Sequence, residues 1–126
     1  MNPAVTGYVT AIPPAQRHLF DRIHRLILDT GPDVQVGLSY NMPTYRLGTR
    51  RLHVGVWKHG VSLYGWRHVG DGGFTARHPE LQTSAGTIRI RTDTAATIGD
   101  DDFRDLARAV LDPDQTLDRP AGKGRA

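Results

Sequence analysis

The chain has 126 residues, 38% of them hydrophobic and 23% charged, with a formal charge of +3. This length and composition fit one globular domain with a core of its own and argue against wholesale disorder. The absence of cysteine excludes disulfides, thiol catalysis and thiolate metal sites, and no apolar run reaches membrane-span length.

Met1-Asn2-Pro3-Ala4 lacks the basic-then-apolar pattern of a secretory leader, so a cytoplasmic protein is expected. Tyr8, Val9 and Ile12 predict a short first helix or turn that ends at Pro13-Pro14. A second helix starts at Pro14, where a missing N–H costs nothing. Leu19, Phe20, Ile23, Leu26 and Ile27 form its apolar stripe, and Gly31-Pro32 stops it.

The stretch Leu38 to Tyr45 is too irregular for a helix. Pro43 pushes Met42 toward an extended conformation, so the chain bends here and sets large aromatic groups at the bend. A strand is expected from about Thr44 to Leu47, then a turn at Gly48-Thr49-Arg50. Leu52, Val54 and Val56 alternate with His53, Gly55 and Trp57. Beyond the turn Lys58-His59-Gly60, Val61 and Leu63 alternate with Ser62, Tyr64 and Trp66, which predicts a β-hairpin. Gly70, Gly72 and Gly73 mark a loop, and Phe74 to Leu81 has room for a short helix. Thr87-Ile88-Arg89-Ile90-Arg91 is a further strand. Asp100, Asp101 and Asp102 open a last helix, where acids suit the positive dipole end, and Phe103, Leu106, Ala107, Val110 and Leu111 are its apolar stripe. Residues 112–126 are almost free of apolar side chains and read as a disordered tail, leaving 1–111 as a single domain.

Helices at both ends and strands between them predict an α+β fold, a two-layer sandwich with the helices on one face of a mainly antiparallel sheet. Leu52, Val54, Val56, Val61, Leu63, Ile88 and Ile90 then face the helices. The opposite face carries His53, Trp57, Tyr64, Trp66, Arg89 and Arg91, and both tryptophans of the chain need cover from a loop, a partner or a ligand.

Three motifs bear on identity. Leu38-Ser39-Tyr40-Asn41-Met42-Pro43-Thr44-Tyr45 resembles the signature ISYGMPAY of the YdhG-like family, a domain-of-unknown-function family that includes bacterial frataxin-like iron chaperones. Thr83-Ser84-Ala85-Gly86-Thr87-Ile88-Arg89-Ile90 resembles its second signature, TSKGTIRF, and Tyr8 to Pro13 resembles its start, YIAALP. Order and spacing agree from about residue 5 to residue 111. The chain departs from the pattern at Asn41, where the family has glycine, at Ala85, where it has lysine, and at Ile90, where it has phenylalanine. Asparagine tolerates a left-handed backbone. Losing the lysine leaves Arg89 as the nearest matched cation. The resemblance implies a small cytoplasmic αβ domain, with iron delivery as the role claimed for some members. It implies no catalytic mechanism.

Several residue sets are candidates for a site. Iron would want carboxylates and imidazoles, and His18, Asp21 and His24 lie at helical spacing, but the acids there are interleaved with Arg17, Arg22 and Arg25. Asp100, Asp101, Asp102 and Asp105 are denser and read as helix N-terminal acids. Ser39 lacks the closing glycine of a nucleophile elbow. Gly70-Asp71-Gly72-Gly73 lacks the lysine and hydroxyl of a phosphate loop. Ser84 to Thr87 has backbone donors for an anion, with Arg89 close by. The favoured expectation is a non-enzymatic site in which Tyr40, Met42, Tyr45, Trp57, Tyr64, Trp66 and Arg89 line a pocket for a small anionic or planar ligand. The competing structural account makes several of these residues a second small core. An anion or nucleic-acid surface would use Arg46, Arg50, Arg51, Arg89 and Arg91, although the chain shows no concentrated basic stripe. A third account uses the aromatic face as a homodimer contact.

Overall fold

The computed structural model describes residues 2–66, 69–84 and 86–112. The expected tail from residue 113 onward and Ala85 lie outside these described residues. Helix α1 spans Pro3–Thr10 and α2 spans Pro14–Leu28. The Asn2 side chain caps α1 by accepting the Ala4 N–H at 2.8 Å. Strands β1 (Gln35–Ser39), β2 (Met42–Leu47), β3 (Arg50–Trp57) and β4 (Gly60–Tyr64) follow as a meander. A one-turn helix α3 (Phe74–Arg77) leads to β5 (Gln82–Ser84) and β6 (Thr87–Arg91). A 3-10 turn at Ala95–Thr97 then precedes α4 (Asp100–Leu111). The six strands form one sheet in the order β1-β2-β3-β4-β6-β5, and every neighbouring pair is antiparallel.

The α+β architecture is as the periodicities predict. Register stacks Tyr45 beside Leu52, Val54 beside Leu63, and Val61 beside Ile90, so these side chains share one face. All six are buried, and they join Phe20, Ile23, Leu26, Phe103, Leu106 and Val110 in a single core between sheet and helices. Burying each such side chain contributes roughly 1.5–3 kcal/mol.

Three local features differ from the sequence expectations. The first helix starts earlier, at Pro3. The Leu38–Tyr45 stretch is a tight hairpin: Ser39 pairs with Met42, and Tyr40 and Asn41 between them have φ of +54° and +60°. Two left-handed central residues give the turn whose twist matches its flanking strands. Pro43 is tolerated within β2 because the ladder to β3 begins one residue later, at Thr44 opposite His53. Strands β1 and β5 add an unexpected edge on each side. The short helix given room within 74–81 is present as a single turn.

Helix α4 has Gly99 at its N-cap and so no side-chain cap. Its first-turn acids make ion pairs instead. Asp100 takes Arg22 at 2.7 Å, Asp101 takes Arg104 at 3.0 Å, and Asp102 takes Arg77 at 2.8 Å and His78 at 2.7 Å. Hydrogen bonds from Arg22 and from His78 hold the Asp100 and Asp102 carboxyls below their ordinary range. Arg22 also donates to the carbonyls of Ala95 and Ile98 and lies 5.0 Å from the Phe103 ring centroid. It therefore ties α2 to the chain entering α4. Arg22→Ala should take the donor from the Ile98 carbonyl and from Asp100, while the Ala95 carbonyl keeps the Ile98 N–H, and cost about 1.5 kcal/mol, visible as a lower urea midpoint with an unchanged m-value.

Candidate functional site

The second face of the sheet is built by the alternate residues of each strand. Arg46 and Arg51 are direct partners across β2 and β3. His53 stands between Thr44 and Tyr64, Ser62 faces Arg89, and Trp57 faces Gly60. The six strands contain no aspartate or glutamate at all. All described acids lie in helices, turns and loops, so negative charge is kept out of the sheet.

The arginines divide in the same way. Arg17, Arg22, Arg77, Arg91, Arg104 and Arg108 each hold a carboxylate. Arg46, Arg51 and Arg89 are exposed on the open face and have no carboxylate partner among the described residues. Like charges directly opposite each other in a sheet are destabilising. The Arg46–Arg51 pair is thus a place where a bound anion would relieve repulsion.

Aromatic groups occupy the rest of the face. Trp57 is half-buried, with the Arg89 guanidinium carbon 5.1 Å from its ring centroid and the His59 ring 5.3 Å away, edge-on. The Trp57 indole N–H is buried without a hydrogen-bond partner among the described residues. His53 shares a hydrogen bond between Nδ1 and the Thr44 hydroxyl at 2.8 Å. Burial, then the nearby Arg51, lowers its pKa and favours the neutral ring. The Tyr40 ring meets His53 edge-on at 5.7 Å between centroids while remaining 82% exposed. Met42 and Tyr64 both reach over Gly55, where an added Cβ would come within 2.9 Å of the Met42 sulfur and 3.5 Å of the Tyr64 ring.

No family model, curated protein or solved structure matches the chain.

Of the seven residues expected to line one site, the structure sets Met42, Trp57, Tyr64 and Arg89 on the open face and Tyr40 at the hairpin tip beside it. It separates Tyr45 and Trp66. Tyr45 has the opposite parity on β2, is fully buried, and places its hydroxyl 2.7 Å from His24 Nδ1 of α2. Burial pushes its phenol pKa upward, so it stays neutral. Trp66 was expected on the open face by continuing the β4 alternation, and this is corrected. Strand β4 ends at Tyr64, and Gly65 turns the chain at φ +112°, where a Cβ would come 2.5 Å from the Arg51 carbonyl oxygen. Trp66 then packs partly buried against the main core.

The other candidates are dispersed or occupied. Among the described residues, no three His, Asp or Glu side chains gather to hold a metal ion. Asp21 pairs with Arg17 at 3.0 Å, Asp29 lies 3.8 Å from Arg104, and His24 is committed to Tyr45. A groove of about 330 Å³ lies between α2 and the β6–α4 connection, lined by His18, Leu19, Arg22, Thr92 and Ala95 among others. Arg22 directs its donors to Asp100, Ala95 and Ile98, so the groove has no uncommitted guanidinium. Sequence reasoning missed the Arg46–Arg51 adjacency. The signal that could have found it is the two-residue turn Gly48-Thr49, which sets the register between β2 and β3.

Proposed function

We propose that this chain is a non-enzymatic binding domain whose open sheet face holds a ligand carrying both negative charge and a planar ring. The observation that carries the reading is the segregation of charge. Arg46, Arg51 and Arg89, without carboxylate partners among the described residues, share a face with Trp57, Tyr64 and Tyr40 on strands that contain no acid. Guanidinium groups recognise oxyanions through a fixed fork of donors, and they also stack on planar rings. The resemblance to the YdhG-like family and a cytoplasmic location belong to the same proposal. The hairpin at Tyr40-Asn41 supports the resemblance, because the position occupied by glycine in the family needs the left-handed backbone that Asn41 adopts. Iron delivery finds no gathered ligand set among the described residues, and we do not carry it into the proposal.

The test uses Trp66→Phe, which leaves Trp57 as the sole tryptophan and makes emission report on the face. Adenosine monophosphate should change Trp57 emission saturably. Adenosine and inorganic phosphate should each bind about tenfold more weakly, since either lacks one recognised part. Arg89→Ala should weaken the monophosphate and leave the fold intact by circular dichroism. A folded protein whose Trp57 emission does not respond to the monophosphate would remove this reading.

A further inference from the structure

We infer that the open face is a track for single-stranded nucleic acid, not a pocket for one small molecule. The inference rests on the binding reading above and names its ligand class. The face is long. Arg51 and Trp57 stand at opposite ends of β3, on the same side of the sheet. Six residues of strand at about 3.3 Å each separate them by roughly 20 Å. Arg46 sits beside Arg51 at one end, while Arg89 sits over Trp57 at the other. A single small ligand cannot touch both ends. A chain of nucleotides can, with phosphates on the guanidiniums and bases on the rings between and beyond them.

Tyr40 adds a second, independent observation. A bulky side chain in the left-handed region is an outlier that needs a reason. Here the strained residue holds a ring 82% exposed at a hairpin tip, edge-on to His53 and beside the open face. Core packing cannot account for a ring that exposed. A base-stacking platform can, since stacking of a base on an aromatic side chain needs an accessible ring. Open sheet faces bearing aromatic residues are a general solution for unpaired bases, which offer their flat sides, whereas a duplex hides them.

Charge decides among occupants. A second copy docking face to face would bring two faces of the same charge together, with no strand carboxylate on either to answer Arg46, Arg51 and Arg89. An acidic peptide would satisfy the arginines and leave the rings unused. Arg89 is far from Arg46 and Arg51 in sequence, which is why the chain shows no basic stripe; the antiparallel register sets all three on one face, from β2, β3 and β6.

The full-length chain should be titrated with a fluorescein-labelled twelve-residue oligothymidylate by anisotropy, at several salt concentrations, beside thymidine monophosphate and a duplex of the same length. The oligomer should bind about a hundredfold tighter than the monophosphate, and tighter than the duplex. Log affinity should fall with log salt at a slope near −2, the value for about three phosphates on a single strand. The double variant Arg46→Ala/Arg51→Ala should flatten that slope by about 1.4, because two contacts are lost. Tyr40→Gly should weaken oligomer binding severalfold while the thermal midpoint stays level or rises, since glycine relieves the left-handed turn. That combination separates a platform from a structural role. Monophosphate binding equal to the oligomer would sink the track and leave the single-ligand reading standing. Equal affinity for duplex, or a slope indifferent to the double variant, would overturn the track as well. No binding of either oligomer or monophosphate would remove both readings.

Discussion

Gly60→Ala is expected to cost about 3 kcal/mol or more, at the upper end of overpacking penalties. Gly60 opens β4 directly opposite Trp57, and on its other side it pairs with Arg91 of β6. A Cβ there would overlap the Ile90 carbonyl oxygen and lie 2.9 Å from Arg91 Cα. Both are backbone atoms of a paired strand, so no rotamer change relieves the clash. Either β6 shifts away from β4 or the hairpin opens. Gly55→Ala is the matched control. Its Cβ would meet the Met42 sulfur at 2.9 Å, the end of a flexible side chain that can swing aside. It should cost less than about 1 kcal/mol. Urea unfolding of the two variants checks the contrast. Near-equal midpoints would show that the β4–β6 approach has slack that the geometry does not suggest. The functional consequence follows from the same contact. Strand β6 carries Arg89 to Trp57, so moving it by the width of a methyl group would break the guanidinium–indole pairing.

The same geometry explains what could and could not be read from the amino-acid sequence. Helices α2 and α4 and strands β3, β4 and β6 were legible because each sets its apolar residues on the core face at a regular period. Val54 beside Leu63 and Val61 beside Ile90 needed no tertiary information beyond alternation. Strand β5 was not legible, since three residues at an edge carry too little pattern. Strand β1 does alternate through Val36 and Leu38. Its signal was obscured by the aromatic turn that follows, where Tyr40 occupies a left-handed position that turn chemistry assigns to glycine or asparagine. For the site, alternation correctly joined Trp57, Tyr64 and Arg89. It failed at Trp66 because a positive-φ glycine interrupts the strand, and at Tyr45 because faces were not followed across the Gly48-Thr49 turn. The acids of α4 show a different limit. A run of three aspartates reads as helix-terminal chemistry, but each one is claimed by a different element, and only the folded contacts reveal which.

His24→Leu should cost about 3 kcal/mol, since it removes a hydrogen bond and strands a buried hydroxyl. The Tyr45 hydroxyl sits on a fully buried side chain, and His24 Nδ1 at 2.7 Å is its hydrogen-bond partner. Removing the imidazole leaves that hydroxyl beyond the reach of water. The reverse change is milder. Tyr45→Phe frees a nitrogen on a ring that is only half-buried and can find solvent, so about 1 kcal/mol is expected. In the double variant both polar groups are gone, and its cost should fall below the sum of the single costs by about 1 kcal/mol or more. Strict additivity would mean that the pair is not coupled as its geometry indicates. The pH dependence gives a second readout. Burial lowers the His24 pKa, against a smaller opposing pull from Asp21. The unfolded chain therefore binds the proton more readily than the folded one. Stability should be full above pH ~6.5 and fall as pH drops through that value toward the folded-state pKa. His53 is shifted in the same direction by burial and by Arg51 and contributes to the same slope. His24→Leu should therefore reduce the loss of stability between pH ~6.5 and ~5 without abolishing it, and replacing His53 as well should reduce it further; the loss at lower pH, where Asp100 and Asp102 take up protons, should persist in both variants.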